Sequence, residues 1–346
     1  MAKILYGVSG EGFGHAARSK EIISHLINQG HQVKVLSYDR GFFWLKNFFD
    51  TEEIFGLRLT YENNSVKYLP TIFDNAMSTP QVLKSITKIR QIMKDFKPEL
   101  VISDFEPLSA ATANLHGIPL ISIDNQHLLT RTEVDYPPEF KKDFLAAKVV
   151  TRLMVMNAKA YLITNFFTVP IVEDRTRVLP PIVRQEVLDA EVTEGDYHLV
   201  YLTSNAEAVP EKLKGLKEKF IIYGVADKLG QDENLFYKPL DQTTFLADLA
   251  GAKSIVANAG LSLISEALYL GKPYLAVPAK NQFEQMLNAY YLDKLGYGKF
   301  SQDLARPDVE AFLKNLTTYK NNLKNYTKSD NSLFFQAVDE AIANCL

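Results

Sequence analysis

Lys3-Ile4-Leu5-Tyr6-Gly7-Val8-Ser9-Gly10-Glu11-Gly12-Phe13-Gly14-His15 reads as a strand that runs into a glycine-rich turn and ends on a histidine. An apolar run this short, built from Ile, Leu, Tyr and Val, suits a buried parallel strand. Gly10, Gly12 and Gly14 let the backbone turn tightly and approach a ligand closely. They set His15 at the mouth of a helix N-terminus, where an imidazole is a natural general base because its ordinary pKa lies near neutrality. Two other readings of the turn stay open. A dinucleotide fingerprint, G-x-G-x-x-G, begun at Gly10 would meet His15 at its third glycine. The acid expected after the second strand, Asp39, lies 29 residues past Gly10, where such sites place it roughly 20 on. The other reading is a tight turn with a structural histidine.

Outward from this turn, the first half alternates strands and helices. Ile22, Ile23, Leu26 and Ile27 form the apolar face of a helix over 17–29, which Gly30 closes. Strands follow over 32–37, 99–104 and 119–124, with another from Tyr161; helices cover 80–97, 108–116 and 139–157. Such repeated βα units imply a parallel sheet wrapped by helices. Leu179-Pro180-Pro181-Ile182-Val183-Arg184 reads as a stiff linker, and an acidic, exposed stretch over 188–196 follows it. The pattern then restarts, with strands over 198–203 (ending in the polar loop Ser204-Asn205), 220–224, 254–258 and 273–278, and helices beginning at 246, 261 and 283. The expected fold class is α/β: two doubly wound, Rossmann-like domains over 1–180 and 197–346, joined by a linker at 181–196. The last helix is a candidate to pack back on the first domain. Ligands of such sheets sit outside the carboxyl ends of the strands, so the expected site is a cleft across which the two domains face.

At 346 residues the chain exceeds one ordinary core. A hydrophobic share of 47% with 23% charged residues is that of a globular protein, and a net charge of −3 argues against a general nucleic-acid binder. The single cysteine, Cys345, excludes an internal disulfide, and no signal-like segment precedes the first strand. No uncharged apolar run approaches the ~18 residues of a spanning helix. These features point to a cytoplasmic protein.

The second informative stretch is Asn258-Ala259-Gly260-Leu261-Ser262-Leu263-Ile264-Ser265-Glu266. It is a strand end, a glycine turn and a helix N-terminus, whose free N–H groups and positive dipole end make a phosphate site. Glu266, a turn or so into the helix, has a carboxylate that suits two neighbouring hydroxyls such as those of a ribose. Pro278 begins another strand end twelve residues beyond Glu266, and Glu284, Gln285 and Asn288 follow on the next helix. An ordinary αβ connection with a solvated acid is the bland alternative.

At these residues the chain resembles the GT-B nucleotide-sugar glycosyltransferases, especially the group holding the lipid II-forming N-acetylglucosaminyltransferase and the UDP-glycosyltransferases. Gly260, Glu266, Pro278, Glu284-Gln285 and Asn288-Ala289 fall where that donor signature has its counterparts. The resemblance implies diphosphate on the backbone near Ala259-Gly260 with Leu261 and Ser262 at the helix start, ribose on Glu266, and sugar hydroxyls on Glu284 and Gln285. Where many members carry a basic residue or histidine, this chain has Asn258; Arg184, in a linker resembling the family's hinge, is the candidate for the missing charge. Phe236 or Tyr237 is implied beside the nucleobase. In the first domain the resemblance implies His15 as base with Asp104 as its partner and Glu106 as the second candidate. Asn125, Gln126 and His127, with Gly10, Gly12 and Gly14, are implied on the acceptor side. Chemistry alone also favours a His15–Asp104 pair, because a base needs a neighbour that holds its tautomer.

The implied activity is inverting, metal-independent transfer of a hexose or N-acetylhexosamine from a UDP-sugar to a hydroxyl acceptor, of a carbohydrate or lipid-linked, cell-envelope kind. The UDP-sugar is a co-substrate, and no cofactor or metal is expected, since the chain has no Asp-x-Asp triplet. The run Phe42-Phe43-Trp44-Leu45-Lys46-Asn47-Phe48-Phe49 is a candidate for peripheral contact at the inner membrane face, Lys46 meeting headgroups. It also suits a half-buried helix. A UDP-sugar epimerase or hydrolase of the same fold, a non-catalytic nucleotide-sugar-binding protein and a nicotinamide dehydrogenase are the alternatives.

Overall fold

Alternation along the first strand sets up the first sheet. In β1 (Lys3–Val8), Ile4, Tyr6 and Val8 pack into one apolar layer and Leu5 into the opposite one, all fully buried. A strand buried on both faces belongs in the middle of a helix-covered sheet. The computed structural model describes every residue except 57–60, 63–64, 67–78, 204–205, 207–208 and 226–227, so the polar loop expected at 204–205 lies outside the described residues. Two units emerge: one of Met1–Glu62, Val66–Ile182 and Asn331–Leu346, the other holding Val183–Asp330.

The first unit has β2 (Gln32–Ser37), β3 (Thr51–Glu53), β6 (Leu100–Asp104), β7 (Leu120–Asp124), β8 (Ala160–Thr164) and β9 (Thr176–Leu179) around β1. Their order is β3-β2-β1-β6-β7-β8-β9, and every pairing is parallel. A separate ribbon pairs β4 (Tyr61–Glu62) with β5 (Ser65–Val66). One face of the large sheet is covered by the helices Phe13–Asn28 and Ser332–Ala343; Thr79–Phe96 and Pro107–His116 cover the other. The reading of Leu179 as the start of a linker is corrected, since it ends β9 and its backbone pairs with β8.

The helix Ser332–Ala343 is built into the first unit. Phe334, Ala337, Val338, Ala341 and Ile342 join the core layer of Ile4 and Tyr6, and Phe335 stacks on His25 at 4.4 Å. His25 Nε2 meets the Asp339 carboxylate at 2.9 Å, and Arg177 bonds Glu340 at 2.6 Å.

The second unit holds β10 (Tyr197–Tyr201), β11 (Lys219–Tyr223), β12 (Gly230–Asp232), β13 (Leu235–Tyr237), β14 (Ile255–Ala257), β15 (Tyr274–Ala276) and β16 (Gly298–Phe300), in the order β12-β13-β11-β10-β14-β15-β16. Only β12 runs antiparallel, in a hairpin with β13. The 181–196 linker is less open than expected: Ile182, Val183 and Val187 are buried, and Gln185–Leu188 forms a helical turn.

Phe334 is fully buried. Phe334→Ala should cost about 3–5 kcal/mol by transfer and cavity terms, read as a lower denaturant midpoint for the first unit with the second unit's transition unchanged.

Candidate active site

Asp104, the last residue of β6, is wholly buried and gathers donors from one helix. His15 Nδ1 lies 2.7 Å from Oδ1, Arg18 Nε donates to Oδ2 at 2.7 Å, Arg18 Nη2 donates to Oδ1, and the Ser19 hydroxyl donates to Oδ2 at 2.9 Å. His15, Arg18 and Ser19 share one face of the helix Phe13–Asn28, which starts at the glycine turn with Gly12 at φ +78° as N-cap. Burial pushes the Asp104 carboxyl up, but the charges of Arg18 and His15 and their hydrogen bonds outweigh it and hold the group below the ordinary carboxylate range.

The ionised carboxylate settles the imidazole. Nδ1 also lies 2.7 Å from Arg18 Nη2, yet a lone pair there would face a negative oxygen. A proton on Nδ1 satisfies ring and acid together, and leaves a lone pair on Nε2. Nε2 lies 3.4 Å from Gln126 Nε2, and the His15 side chain keeps 14% of its surface exposed. Phe105 follows Asp104 in the left-handed region at φ +55° and lays its ring along His15, centroids 6.4 Å apart and planes 15° from parallel. An aromatic residue held there stores strain of order 1–3 kcal/mol, a common mark of a functional site.

Arg18, Ser19 and Phe105 escaped the sequence reading. The signal for Arg18 was its spacing of three from His15 in a helix. Glu106 is corrected: its carboxylate caps the helix Pro107–His116, accepting from Leu108 N at 2.9 Å and Ser109 N at 2.7 Å, and is not the imidazole's partner. The glycines divide in role. A Cβ on Gly10 would sit 2.0 Å from the Tyr38 carbonyl oxygen, so this glycine serves packing against the end of β2 rather than an acceptor.

The loop after β7 splits. Asn125 accepts from Arg18 Nη1 at 3.2 Å and Gln126 is half-buried beside His15, whereas His127 is turned inward. Its Nδ1 faces Asp124 Oδ2 at 2.7 Å and its Nε2 faces the Val155 carbonyl at 3.2 Å, so neither nitrogen is left for an acceptor. His127 supports the loop instead of lining it.

In the second unit Gly260 caps the helix Leu261–Tyr269 with no side-chain cap. Its φ is −71°, and a Cβ built there would meet nothing within 4 Å, so neither backbone nor packing calls for glycine. Close approach of a ligand to the helix N-terminus would. Asn258 ties three strand ends together: Oδ1 accepts from Thr203 N at 2.7 Å and Nδ2 donates to the Val277 carbonyl at 2.9 Å. The Asn258 and Ala259 carbonyls are held by Tyr274 OH at 2.6 Å and Asn288 Nδ2 at 3.0 Å. Leu261 is buried and Ser262 half-buried at the start of that helix.

Glu266 is 5% exposed at the side chain, and Arg184 grips it in a fork, Nε to Oε1 at 2.6 Å and Nη2 to Oε2 at 2.8 Å. The guanidinium expected at the diphosphate is thus paired to the acid expected at the ribose. A carboxylate has about four lone-pair sites and the fork takes two. Glu284 and Gln285 are half-buried in the first turn of the helix Phe283–Lys294, and Gln285 Oε1 accepts from Ala279 N at 2.9 Å. Of the nucleobase candidates, Tyr237 is corrected, since it lies in the core with Phe220 and Ile222; Phe236, on the other face of β13, is half-buried with Lys219 Nζ 4.8 Å from its ring centroid.

The family model described as glycosyl transferase family 1 matches residues 2–317, and the chain belongs to this family. An uncharacterized glycosyltransferase of Methanosarcina acetivorans is 23% identical, with 89% of this chain and 87% of that one covered. The UDP-N-acetylglucosamine–N-acetylmuramyl-(pentapeptide) pyrophosphoryl-undecaprenol N-acetylglucosamine transferase of Staphylococcus epidermidis is 26% identical, with 99% of both covered. The solved glycotransferase of kitacinnamycin shares the fold, with a TM-score of 0.72 and 15% identity over 100% of this chain and 99% of that one. The protein is a glycosyltransferase of the GT-B fold.

Burial pushes the Asp124 carboxyl up, but the neighbouring His127 and the bonds from His127 and Ser122 hold it down to about 2. A carboxyl lowered from 3.8 to about 2 adds stability that is present above pH 3.8 and is lost as pH falls through about 2, roughly 2 kcal/mol in all. Asp124→Asn should flatten the acid limb of the first unit's stability curve over that window, measured as denaturant midpoint against pH; an acid limb as steep as the wild type's would refute the linkage.

Proposed function

We propose that the protein moves a hexose or N-acetylhexosamine from a UDP-sugar to a hydroxyl of a carbohydrate or lipid-linked acceptor, with inversion and without a metal or other cofactor. The observation that carries this reading is the His15 ring, fixed through Nδ1 on Asp104 with Nε2 at its accessible edge. Nε2 takes the acceptor proton, the acceptor oxygen attacks the anomeric carbon, and the bond to the UDP oxygen breaks in the same displacement, which inverts that carbon. Because Arg18 already neutralises Asp104, the carboxylate serves chiefly to orient the ring. The N-terminus of the helix Leu261–Tyr269 stabilises the departing diphosphate, and Glu266 accepts the ribose hydroxyls on the lone pairs that Arg184 leaves. The name of the Staphylococcus epidermidis relative includes a UDP-N-acetylglucosamine donor and an undecaprenol-linked acceptor, which supports a UDP-sugar and a cell-envelope acceptor.

His15→Ala should lower sugar transfer about 10²–10⁴-fold while UDP binding stays intact, read as acceptor-dependent UDP release beside calorimetric UDP titration. Equal UDP release with and without acceptor would instead favour a hydrolase. An epimerised sugar would favour the epimerase.

No helix among the described residues is long and apolar enough to cross a membrane. Peripheral contact through 42–49 is supported by Phe43 and Phe48, 59% and 50% exposed, with Lys46 over the Phe42 and Phe43 rings. Trp44 and Phe49 pack on the core instead. Leu145, Val149 and Leu153, exposed at four-residue spacing beside Lys148 and Arg152, form a second apolar surface on the same unit. Phe43→Ser with Phe48→Ser should reduce sedimentation with phosphatidylglycerol vesicles while the melting temperature holds. Undiminished binding would move the contact to the helix Lys141–Met154.

A further inference from the structure

The amino ends of the second sheet carry a cluster of positive charge that the proposed reaction does not use. Lys253 lies just before β14, Lys272 just before β15, and Lys320 on the helix Leu316–Leu323. With Thr193, Glu194 and Gly271 they line a cavity of about 280 Å³. The turn Asn258–Gly260 follows the carboxyl end of β14, so this cavity and the nucleotide turn lie at opposite edges of one sheet.

Three ammonium groups here face one carboxylate. Glu194 pairs with Lys320 at 2.6 Å and is itself largely exposed. Lys272 is only 4% exposed, and its Nζ donates to the Thr193 carbonyl at 2.6 Å. An ammonium has three donors, so two N–H groups of Lys272 stay available to a ligand. Burial lowers its ammonium to about 8, opposed by Glu194 and reinforced by Lys320. Beneath the cluster the His198 ring, bonded to Ser254 Oγ at 2.7 Å, is pushed down to about 4 by burial and then by Lys253 and Lys320. A structural role calls for one of these lysines, as the tie from Lys272 to the 193 carbonyl. It does not account for two more cations around the same hollow, where like charges repel.

We propose that this cavity is a binding site for a small phosphate-bearing anion, such as a diphosphate or a phosphomonoester, held by Lys253, Lys272 and Lys320 and separate from the sugar-nucleotide site. Several converging ammonium groups are point-charge donors suited to phosphate oxygens. A concave site lined by one sign of charge also concentrates its counter-ion. The volume has room for more than one phosphoryl group, and Val192, Ala252 and Leu270 complete its lining.

The test is calorimetric titration of the full chain with inorganic pyrophosphate in the presence of saturating UDP, which occupies the nucleotide turn. The wild type should show one saturable site. Lys253→Gln with Lys320→Gln should weaken it about tenfold or more while leaving UDP binding, sugar transfer and the melting temperature unchanged. Both lysines are partly exposed, so this variant avoids the folding risk of changing Lys272. A pyrophosphate site lost in Glu266→Ala but kept in the double lysine variant would overturn the proposal, as would equal affinity in wild type and lysine variant. Absence of any pyrophosphate site with retention on phosphatidylglycerol vesicles would overturn it too, assigning the lysines to lipid headgroups.

Discussion

A carboxylate sealed from water organises the first unit's chemistry. Asp104 cannot be solvated, so the fold must supply its counter-charge and donors from protein. It does so from a single helix turn and a half, through His15, Arg18 and Ser19. The same residue ends β6, and its backbone carbonyl accepts from Ser9 N at 2.9 Å, so the glycine turn is fastened to the charge it serves. Removing Arg18, which carries the counter-charge, would leave this buried carboxylate without its permanent cation, typically a loss of about 3–5 kcal/mol. The imidazole therefore inherits its orientation from the folding energy of the unit. Reactivity and stability here share one set of bonds.

The second unit solves its problem differently. Asn258 follows the carboxyl end of β14, and its amide draws together the ends of β10, β14 and β15. The carbonyls of Asn258 and Ala259 are occupied by Tyr274 and Asn288, which leaves the helix start to offer its N–H side outward. Arg184 and Glu266 pair in a two-pronged fork beside this turn, which takes two of the carboxylate's lone-pair sites. Any ligand that uses Glu266 must share it with the Arg184 guanidinium.

The βα alternation, the glycine turn with its histidine, and the strand-end acid were legible because each rests on local pattern: apolar runs, glycine spacing and strand termini. Arg18 was not, since an arginine on a helix ordinarily reads as a solvated one; only the buried acid 86 residues away draws it inward. His127 looked like a polar loop residue for the same reason, its burial depending on Asp124 and on a carbonyl at residue 155. The β12–β13 hairpin was passed over because three-residue strands leave almost no periodicity to read. Once it forms, side-chain alternation sends Tyr237 into the core, away from the role that its place in the chain suggested, and Phe236 to the other face.

The helix Ser332–Ala343 carries a consequence for how the molecule is made. Residues 1–182 emerge from the ribosome long before the segment that walls their core, while 183–330 has everything it needs by the time residue 330 appears. Domains are generally completed in the order of synthesis, but here the order is reversed: the unit encoded first is finished last. Until Phe334 and its neighbours arrive, the layer around Ile4, Tyr6 and Ile22 lacks the part of its cover that the helix Ser332–Ala343 supplies, and apolar surface there waits for the end of synthesis.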